Sequence, residues 1–224
     1  MAKVNKSYAV LGLGIFGSTI AKTLSDYNYD VIAVDSNIIC VERIAELGIN
    51  AVQADITDIV QLKSLGIQDC ECGVVATGSH LEDSIMAIMN LKELGVSNIV
   101  AKAKNKKFMQ ILLKVGADRV IRPEKEMGVR VAKQLVSTNI VDLIELDSEY
   151  SIIEILTPDS WCSNSLKELN LREKFGINVL GIRKKPGERL SISPDANYII
   201  EPGDLLLVIA DNKIFQQFDK TFSE

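Results

Sequence analysis

Short apolar segments alternate with longer segments of helical spacing between Ser7 and Ile121, and this alternation limits the possible folds more than any other feature. The apolar segments are rich in β-branched residues and fall at Tyr8–Leu11, Asp30–Val34, Ala51–Ala54, Gly73–Ala76, Asn98–Ala101 and Arg119–Ile121. Between two of them, the apolar residues of Leu81–Leu94 recur every three or four positions, as on one face of a helix. Repeated strand–helix units with almost wholly apolar strands predict a parallel sheet covered by helices on both faces. We therefore predict an α/β domain with a doubly wound, Rossmann-like parallel sheet.

The pattern changes after Pro123. A helical segment, Glu124–Val136, is followed by shorter strand-like segments that are separated by turn signals. The strand-like segments are Ile140–Leu146, Ser151–Leu156, Ile177–Arg183, Leu190–Ile192 and Leu205–Ile209, and a short helix is predicted at Ser165–Leu169. We therefore predict an N-domain over residues 1–123, a linking helix over 124–139 and a small α+β C-domain over 140–224.

The composition is that of a soluble folded protein, with 47% hydrophobic and 25% charged residues among 224. The formal net charge of −5 argues against a general affinity for nucleic acid phosphates. Four cysteines at irregular spacings favour reduced thiols in the cytoplasm over a disulfide framework or a zinc site. The longest apolar segments are far shorter than the roughly 20 residues of a spanning helix, so any membrane role is expected to act through a partner.

A glycine-rich loop, Gly12-Leu13-Gly14-Ile15-Phe16-Gly17, follows the first predicted strand and begins a helix over Ile15–Leu24. Gly12 permits a tight turn, Gly14 lets the backbone approach a phosphate, and Gly17 lets the helix pack closely on the strand. The helix N-terminus adds free N–H groups and the positive end of the helix dipole. The loop alone is a weak signal, because glycine turns are common.

Asp35 strengthens the signal, because it ends the second predicted strand, 18 residues after Gly17. A carboxylate in this position accepts hydrogen bonds from both hydroxyl groups of an adenosine ribose. Ser36 and Asn37 follow, so no arginine directly after Asp35 offsets a 2′-phosphate, and NADP is disfavoured. The alternative is a structural glycine turn with a solvated Asp35.

Two further predicted strands end at the same edge of the sheet, where open parallel sheets bind their ligands. Asp55-Ile56-Thr57 follows the third strand, and Ala76-Thr77-Gly78-Ser79 follows the fourth. Asp55 is a candidate contact for an adenine amino group, and the small residues 76–79 leave room for the base or the ribose. Alternatively, Asp55 caps a helix that begins near Asp58.

The residues favour binding over catalysis. A dehydrogenase needs an acid or base beside the hydride acceptor and a pocket for its substrate. The single histidine, His80, either faces the site or is an exposed helix-cap residue, and the C-terminal part is small for a substrate domain. The alternatives are a small NAD(H)-dependent oxidoreductase and a free-standing nucleotide or redox sensor.

Several longer motifs occur together in one family of proteins. They are Lys102-Ala103-Lys104-Asn105, Gly116-Ala117-Asp118-Arg119-Val120-Ile121 and Pro123-Glu124-Lys125-Glu126-Met127-Gly128. With the glycine loop and the strand ends, they make the chain resemble, over essentially its whole length, the cytosolic regulatory subunits of bacterial Ktr/Trk potassium uptake systems. These subunits combine an RCK N-domain with a TrkA-C type C-domain.

The resemblance implies that homodimers assemble into an octameric ring beneath a membrane potassium channel, at the inner face of the cell membrane. It also implies that ATP, ADP or NAD(H) binds in the N-domain, and that exchange of the ligand changes the conductance of the channel. No catalytic residue is expected.

Carried over by position, the resemblance makes Asp35 the ribose anchor and Asp55 a base-side contact. Glu124 matches a glutamate that in some relatives meets the phosphates of a neighbouring subunit's nucleotide through a cation such as Mg²⁺; the alternative is that Glu124 simply begins the helix after Pro123. The expected nucleotide contacts are Gly12, Gly14, Ile15, Phe16, Gly17, Asp35, Ser36, Asp55, Ile56, Thr57, Ala76, Thr77, Gly78, Lys102 and Glu124.

Ile15 departs from the family pattern, because relatives commonly have an arginine there that reaches the terminal phosphates. Loss of such a charge-assisted contact corresponds to about 1.5–3 kcal/mol, or roughly tenfold to a hundredfold in affinity. Lys102 and Lys104 are the candidate replacements. The absence of this arginine therefore favours NAD(H) or ADP over ATP as the ligand.

The C-domain of some relatives binds the cyclic dinucleotide c-di-AMP at a two-fold interface. The corresponding residues here are Leu166, Arg172, Ile177, Asn178 and Pro194. Arg172 is the candidate phosphate contact and Asn178 the candidate ribose or base contact, with aliphatic side chains packing on adenine. The alternative is an ordinary dimer interface with buried Ile177 and Val179.

Overall fold

Two sheets, one parallel and one antiparallel, organise the chain. The computed structural model describes residues 6–78, 80–136 and 140–214, without the side chains of residues 133, 134 and 136. Ser79 of the candidate segment after the fourth strand, residues 137–139 of the predicted linking helix and residues 215–224 of the predicted C-domain lie outside the described residues. The chain divides into two compact units between Lys125 and Glu126. No helix within the described residues is long and apolar enough to cross a lipid bilayer.

The first unit alternates strands and helices, as the sequence predicts. Its strands are β1 (Ser7–Leu11), β2 (Asp30–Asp35), β3 (Asn50–Gln53), β4 (Cys72–Val75), β5 (Asn98–Lys102) and β6 (Arg119–Ile121). Its helices are α1 (Ile15–Asp26), α2 (Ile38–Ala45), α3 (Ile59–Ser64), α4 (Leu81–Glu93) and α5 (Lys106–Val115), and α6 (Pro123–Val136) begins in this unit. Every predicted strand of this unit is present, and its ends differ from the prediction by one residue at most.

The six strands are parallel and lie in the order β3-β2-β1-β4-β5-β6. The chain winds outward from β1 through β2 to β3, and then crosses back to β4 on the other side of β1. The loops that follow β1 and β4 are therefore neighbours at the same edge of the sheet, and they lead to helices on opposite faces. In open parallel sheets this switch point is where ligands bind.

Apolar side chains fill both faces of the sheet, which is why its strands read as nearly continuous apolar segments. On one face, Leu62 of α3, Ile88 of α4 and Leu112 of α5 are fully buried. On the other face, Ala21 of α1 and Ile44 of α2 are buried. The doubly wound α/β fold predicted from the periodicity is confirmed.

The second unit contains a five-stranded antiparallel sheet in the order β10-β9-β11-β8-β7. The strands are β7 (Ile140–Glu145), β8 (Tyr150–Leu156), β9 (Asn178–Arg183), β10 (Ser191–Ile192) and β11 (Leu205–Asp211). Two short helices, α7 (Leu166–Leu169) and α8 (Leu171–Phe175), pack against it, and the sequence pattern predicted only α7. Trp161 is buried in this core, at 3% exposure, within a 3-10 turn. The predicted α+β architecture is confirmed.

Candidate functional site

The glycine loop is fixed by close packing against the end of β4. Gly12 has a φ of +98°, and a Cβ on it would lie 3.0 Å from the backbone nitrogen of Thr77. A Cβ on Gly17 would lie 1.8 Å from the carbonyl oxygen of Gly12 and 2.9 Å from the Cβ of Ala76. The fold itself therefore requires glycine at both positions.

Gly14 has a different role, because a Cβ there would meet nothing within 4 Å in the described part of the chain. Gly14 is the N-cap residue of α1, and no described side chain caps this helix or places an acidic group in its first turn. The first N–H groups of α1 are thus left to a ligand or to water. Ile15, the first residue of the helix, is 90% exposed.

Asp35 joins the end of β2 to the glycine loop. One carboxylate oxygen accepts a hydrogen bond from the N–H of Leu13 at 2.6 Å, and the other from the N–H of Asn37 at 2.8 Å. Each oxygen can accept a further hydrogen bond, so the contacts leave capacity for ribose hydroxyl groups. Arg43 of α2, which sequence reasoning did not single out, donates to the carbonyl oxygen of Leu13 at 2.9 Å. Asp35 is therefore a structural partner of the loop rather than a merely solvated carboxylate.

The loop after β3 is held in place by hydrogen bonds of its own. Asp55 accepts hydrogen bonds from the N–H of Thr57 at 2.8 Å and from its hydroxyl group at 2.7 Å. Asp58, not Asp55, is the N-cap of α3, which begins at Ile59. The suggested capping role of Asp55 is therefore wrong, since the helix starts too late for it.

The buried side chain of Asn90, on α4, also fixes this loop, because it donates to the carbonyl oxygen of Thr57 at 2.9 Å. The buried hydroxyl group of Ser84, on the same helix, donates to the carbonyl oxygen of His80 at 3.2 Å. Sequence reasoning missed both residues, although polar residues on the apolar face of a predicted helix were a signal that could have found them. His80 is the exposed N-cap residue of α4 and makes no side-chain capping bond to the described residues.

Four further predicted nucleotide contacts lie at the same edge of the sheet. Ser36 is exposed, and its carbonyl oxygen accepts a hydrogen bond from Gln53 at 2.9 Å. Phe16, Ile56 and Gly78 are half-buried. They follow β1, β3 and β4, so the structure brings the predicted contacts to the carboxyl ends of neighbouring strands.

Lys102, the last residue of β5, reaches the glycine loop. Its ammonium nitrogen lies 5.8 Å from the centroid of the Phe16 ring, and its stem would be 3.4 Å from a Cβ on Gly78. The same nitrogen pairs with Glu124 at 2.5 Å, and only 18% of the Lys102 side chain is exposed, against 66% for Glu124. The hydrogen bond from Lys102 holds the pKa of the Glu124 carboxyl below its ordinary value.

Lys104 lies elsewhere, with its ammonium 4.6 Å from the centroid of the Phe108 ring on α5. Of the two candidate replacements for the missing loop arginine, the structure thus brings Lys102 to the glycine loop.

The candidate c-di-AMP residues of the second unit differ in their exposure to solvent. Arg172 and Asn178 are exposed, and Leu166 and Pro194 are half-buried. Ile177 is 1% exposed and belongs to the apolar core, so it cannot pack against a ligand in this structure. The expectation that Ile177 contacts adenine is therefore wrong, because its side chain is buried among the apolar residues of the second unit. Val179 is half-buried against the same core.

The described cysteines and acidic residues were compared with the grouping that a metal ion requires. Within residues 6–78, 80–136 and 140–214, no three His, Cys, Asp or Glu side chains are grouped so that they could hold a metal ion. Burial raises the pKa of the thiols of Cys70 and Cys72, so both remain protonated at neutral pH.

Comparison with known proteins agrees with this architecture. Residues 8–123 match the TrkA-N domain family, and residues 151–223 match the TrkA-C domain family. The chain is thus a two-domain protein of the TrkA type. The chain is 37% identical to Ktr system potassium uptake protein C of Bacillus subtilis, over 97% of its own length and 97% of that protein's length. It is also 40% identical to Ktr system potassium uptake protein A of the same organism, over 96% of each chain. The chain therefore belongs to the family of Ktr system potassium uptake proteins.

Solved structures agree with the fold. The RCK domain of the GsuK channel superposes on the whole chain with a TM-score of 0.69 at 16% identity, and the chain spans 49% of that protein. The structure of the GsuK channel bound to NAD gives a TM-score of 0.68 at 17% identity, and the chain spans 40% of it. The predicted family and fold are both confirmed.

Proposed function

We propose that this chain is a nucleotide-binding regulatory subunit that controls the conductance of a membrane potassium uptake protein. The observation that carries the proposal is the contact between the Asp35 carboxylate and the N–H of Leu13 at 2.6 Å, beside an uncapped helix N-terminus. This arrangement has a hydrogen-bond acceptor for ribose hydroxyl groups next to N–H donors for phosphate oxygens. The names of the relatives, which are potassium uptake proteins, supply the biological context.

In this proposal an adenine nucleotide lies across the carboxyl ends of the parallel strands. Asp35 accepts hydrogen bonds from the ribose, and the backbone N–H groups at Gly14 and Ile15 receive phosphate oxygens. Asp55–Thr57 and Ala76–Gly78 line the side of the base and the ribose. NAD(H), ADP and ATP all carry the required adenosine and phosphate groups.

The regulatory mechanism needs no chemical step. A ligand shifts a conformational equilibrium by the difference between its affinities for the two states. Two ligands that differ in their phosphates, such as ATP and ADP, would differ most near Gly14 and Lys102. No residue is assigned a catalytic role.

The proposed partner is the membrane subunit of a Ktr-type potassium uptake system, bound at the cytoplasmic face of the membrane. We further propose that the chain forms dimers that assemble into a ring of eight, with Glu124 meeting phosphates through a divalent cation. A carboxylate placed directly beside phosphates repels them, so this role requires the cation. The second unit is a candidate c-di-AMP site through Leu166, Arg172, Asn178 and Pro194.

The site can be tested by thermal unfolding of the full chain with ATP, ADP, NAD and NADH, each with and without Mg²⁺. A ligand at 100 times its dissociation constant adds about 2.7 kcal/mol, which raises the Tm by several degrees for a protein of this size. We expect at least one nucleotide to raise the Tm of the unaltered chain and none to raise that of Asp35→Ala. Asp58→Asn is the matched control, because it removes an acidic group at the same edge that caps α3 instead.

Equal shifts for Asp35→Ala and the unaltered chain would contradict the site. The absence of any shift with the unaltered chain would contradict nucleotide binding. Oxidation of NADH in the presence of a small carbonyl substrate would favour an oxidoreductase.

A further inference from the structure

Lys102 occupies a position between two parts of the site. Its ammonium lies near the Phe16 ring of the glycine loop, at 5.8 Å from the ring centroid, and its stem passes Gly78 at the end of β4. The same ammonium pairs with Glu124 in the first turn of α6, at 2.5 Å. The Lys102 side chain is largely buried, whereas that of Glu124 is mostly exposed. One cation is therefore within reach of both the proposed phosphate position and the start of α6.

The glycine loop makes this cation important. With Ile15 exposed at the first position of α1, the loop has no cationic side chain of its own. A phosphate at the helix N-terminus would find the Lys102 ammonium already neutralised by the Glu124 carboxylate. An ammonium group donates three hydrogen bonds, but the nearby carboxylate would repel the phosphate as long as the ion pair is closed.

We propose that Lys102 is the phosphate-contacting cation of the nucleotide site and that Glu124 competes with the nucleotide for it. Binding of a nucleotide without a divalent cation then opens the Lys102–Glu124 ion pair, and Glu124 is released at the start of α6. Because α6 continues to Val136, this release changes the electrostatics at the beginning of the helix that leads into the second unit. The inference rests on the proposed function and adds a specific means of regulation to it.

The proposal is tested by calorimetric titration of the full chain with ADP and with adenosine, in buffer that contains EDTA. Lys102→Met is expected to weaken ADP binding about tenfold, because a charge-assisted contact is lost. Glu124→Gln is expected to tighten ADP binding at least threefold, because the competitor loses its charge. Adenosine has no phosphate, so its affinity should change less than twofold in either variant. Lys106→Met removes an exposed lysine at the start of α5 and is the control.

The double variant Lys102→Met/Glu124→Gln separates competition from simple repulsion. If Glu124 acts through Lys102, the effect of Glu124→Gln disappears in the Lys102→Met background. Tighter ADP binding in the double variant than in Lys102→Met would overturn the competition. Unchanged ADP binding in Lys102→Met, or weaker binding in Glu124→Gln, would overturn the inference alone.

An unaltered chain that binds neither ADP nor adenosine would overturn this inference, whereas the proposed function is overturned only if none of ATP, ADP, NAD and NADH raises the Tm of the unaltered chain. If Lys102→Met does not fold, Lys102→Gln replaces it in both the single and the double variant, because glutamine removes the charge and keeps a polar end group. Glu124→Gln is not affected by this difficulty, since the Glu124 side chain is mostly exposed.

Discussion

The two units of the chain form their candidate sites in different ways. In the first unit all strands are parallel, so the loops after β1, β2, β3 and β4 leave the same edge of the sheet. Asp35 bonds directly to the loop after β1, and Gly12 touches the loop after β4. In the second unit the strands are antiparallel, and successive strands end at opposite edges.

In the first unit, the parallel topology by itself brings the candidate site residues to one edge of the sheet. The proposed phosphate position consists of uncapped backbone N–H groups, so few side chains have to be placed. In the second unit a ligand would depend on exposed side chains such as Arg172 and Asn178. The core position of Ile177 shows how easily such a surface assignment can fail.

The largest effect is expected for Gly17→Ala in the first unit. The new Cβ would overlap the carbonyl oxygen of Gly12, at 1.8 Å, so we expect the first unit not to fold. Gly14→Ala is the matched change, since its Cβ meets no described atom within 4 Å. It should fold normally and bind nucleotide phosphates less well. Circular dichroism and thermal unfolding of both variants check the expectation, and a stably folded Gly17→Ala would show that the loop does not pack as described.

Ile15→Arg should have the next largest effect and would sharpen the contrast by adding a side-chain cation to a site made mainly of backbone. The Ile15 side chain is 90% exposed, so the arginine fits without repacking. We expect the affinity for ATP to increase roughly tenfold to a hundredfold, because a charge-assisted contact is gained.

Isothermal titration of Ile15→Arg with ATP and adenosine provides the measurement. Leu47→Arg adds the same charge at an exposed site after α2 and serves as the control. Equal gains in both variants would mean that net charge, not the loop position, governs the affinity.

Arg172→Ala probes the second unit, where the expected effect is smaller. If this unit binds c-di-AMP as proposed, loss of the exposed guanidinium should weaken binding about tenfold, with little change in Tm. Lys167→Ala, an exposed cation on α7, is the comparison. Binding of c-di-AMP that is equal in both variants would remove Arg172 from the proposed site.

Much of the first unit could be predicted from the sequence because its signals are local. Strand segments repeat with regular periodicity, and Asp35 follows the glycine loop at a spacing that the parallel fold makes meaningful. Helix α8, by contrast, follows α7 directly after Asn170 and has only five residues. A helix of this length is too short to show a helical period in the sequence.

The side-chain contacts of the site could not be predicted in the same way. Asp55 and Asp58 are both followed by polar segments that suit a helix start, and only the backbone path shows that Asp58 is the cap. The Lys102–Glu124 ion pair joins residues on either side of α5 and β6, so no local pattern carries it. Asn90 donates to the carbonyl oxygen of Thr57, in a loop 33 residues away in the sequence, so no local pattern carries this contact either.

Measurement of potassium flux is the most direct test of the proposal that this chain regulates a membrane potassium uptake protein in response to a nucleotide. Proteoliposomes that contain the membrane subunit of a Ktr system would be measured with and without this chain, and with and without the nucleotide that raises its Tm. The account predicts that the nucleotide changes the flux only when the chain is present, and that Asp35→Ala abolishes this response. A flux that is the same under all four conditions, or a response that Asp35→Ala retains in full, would contradict it.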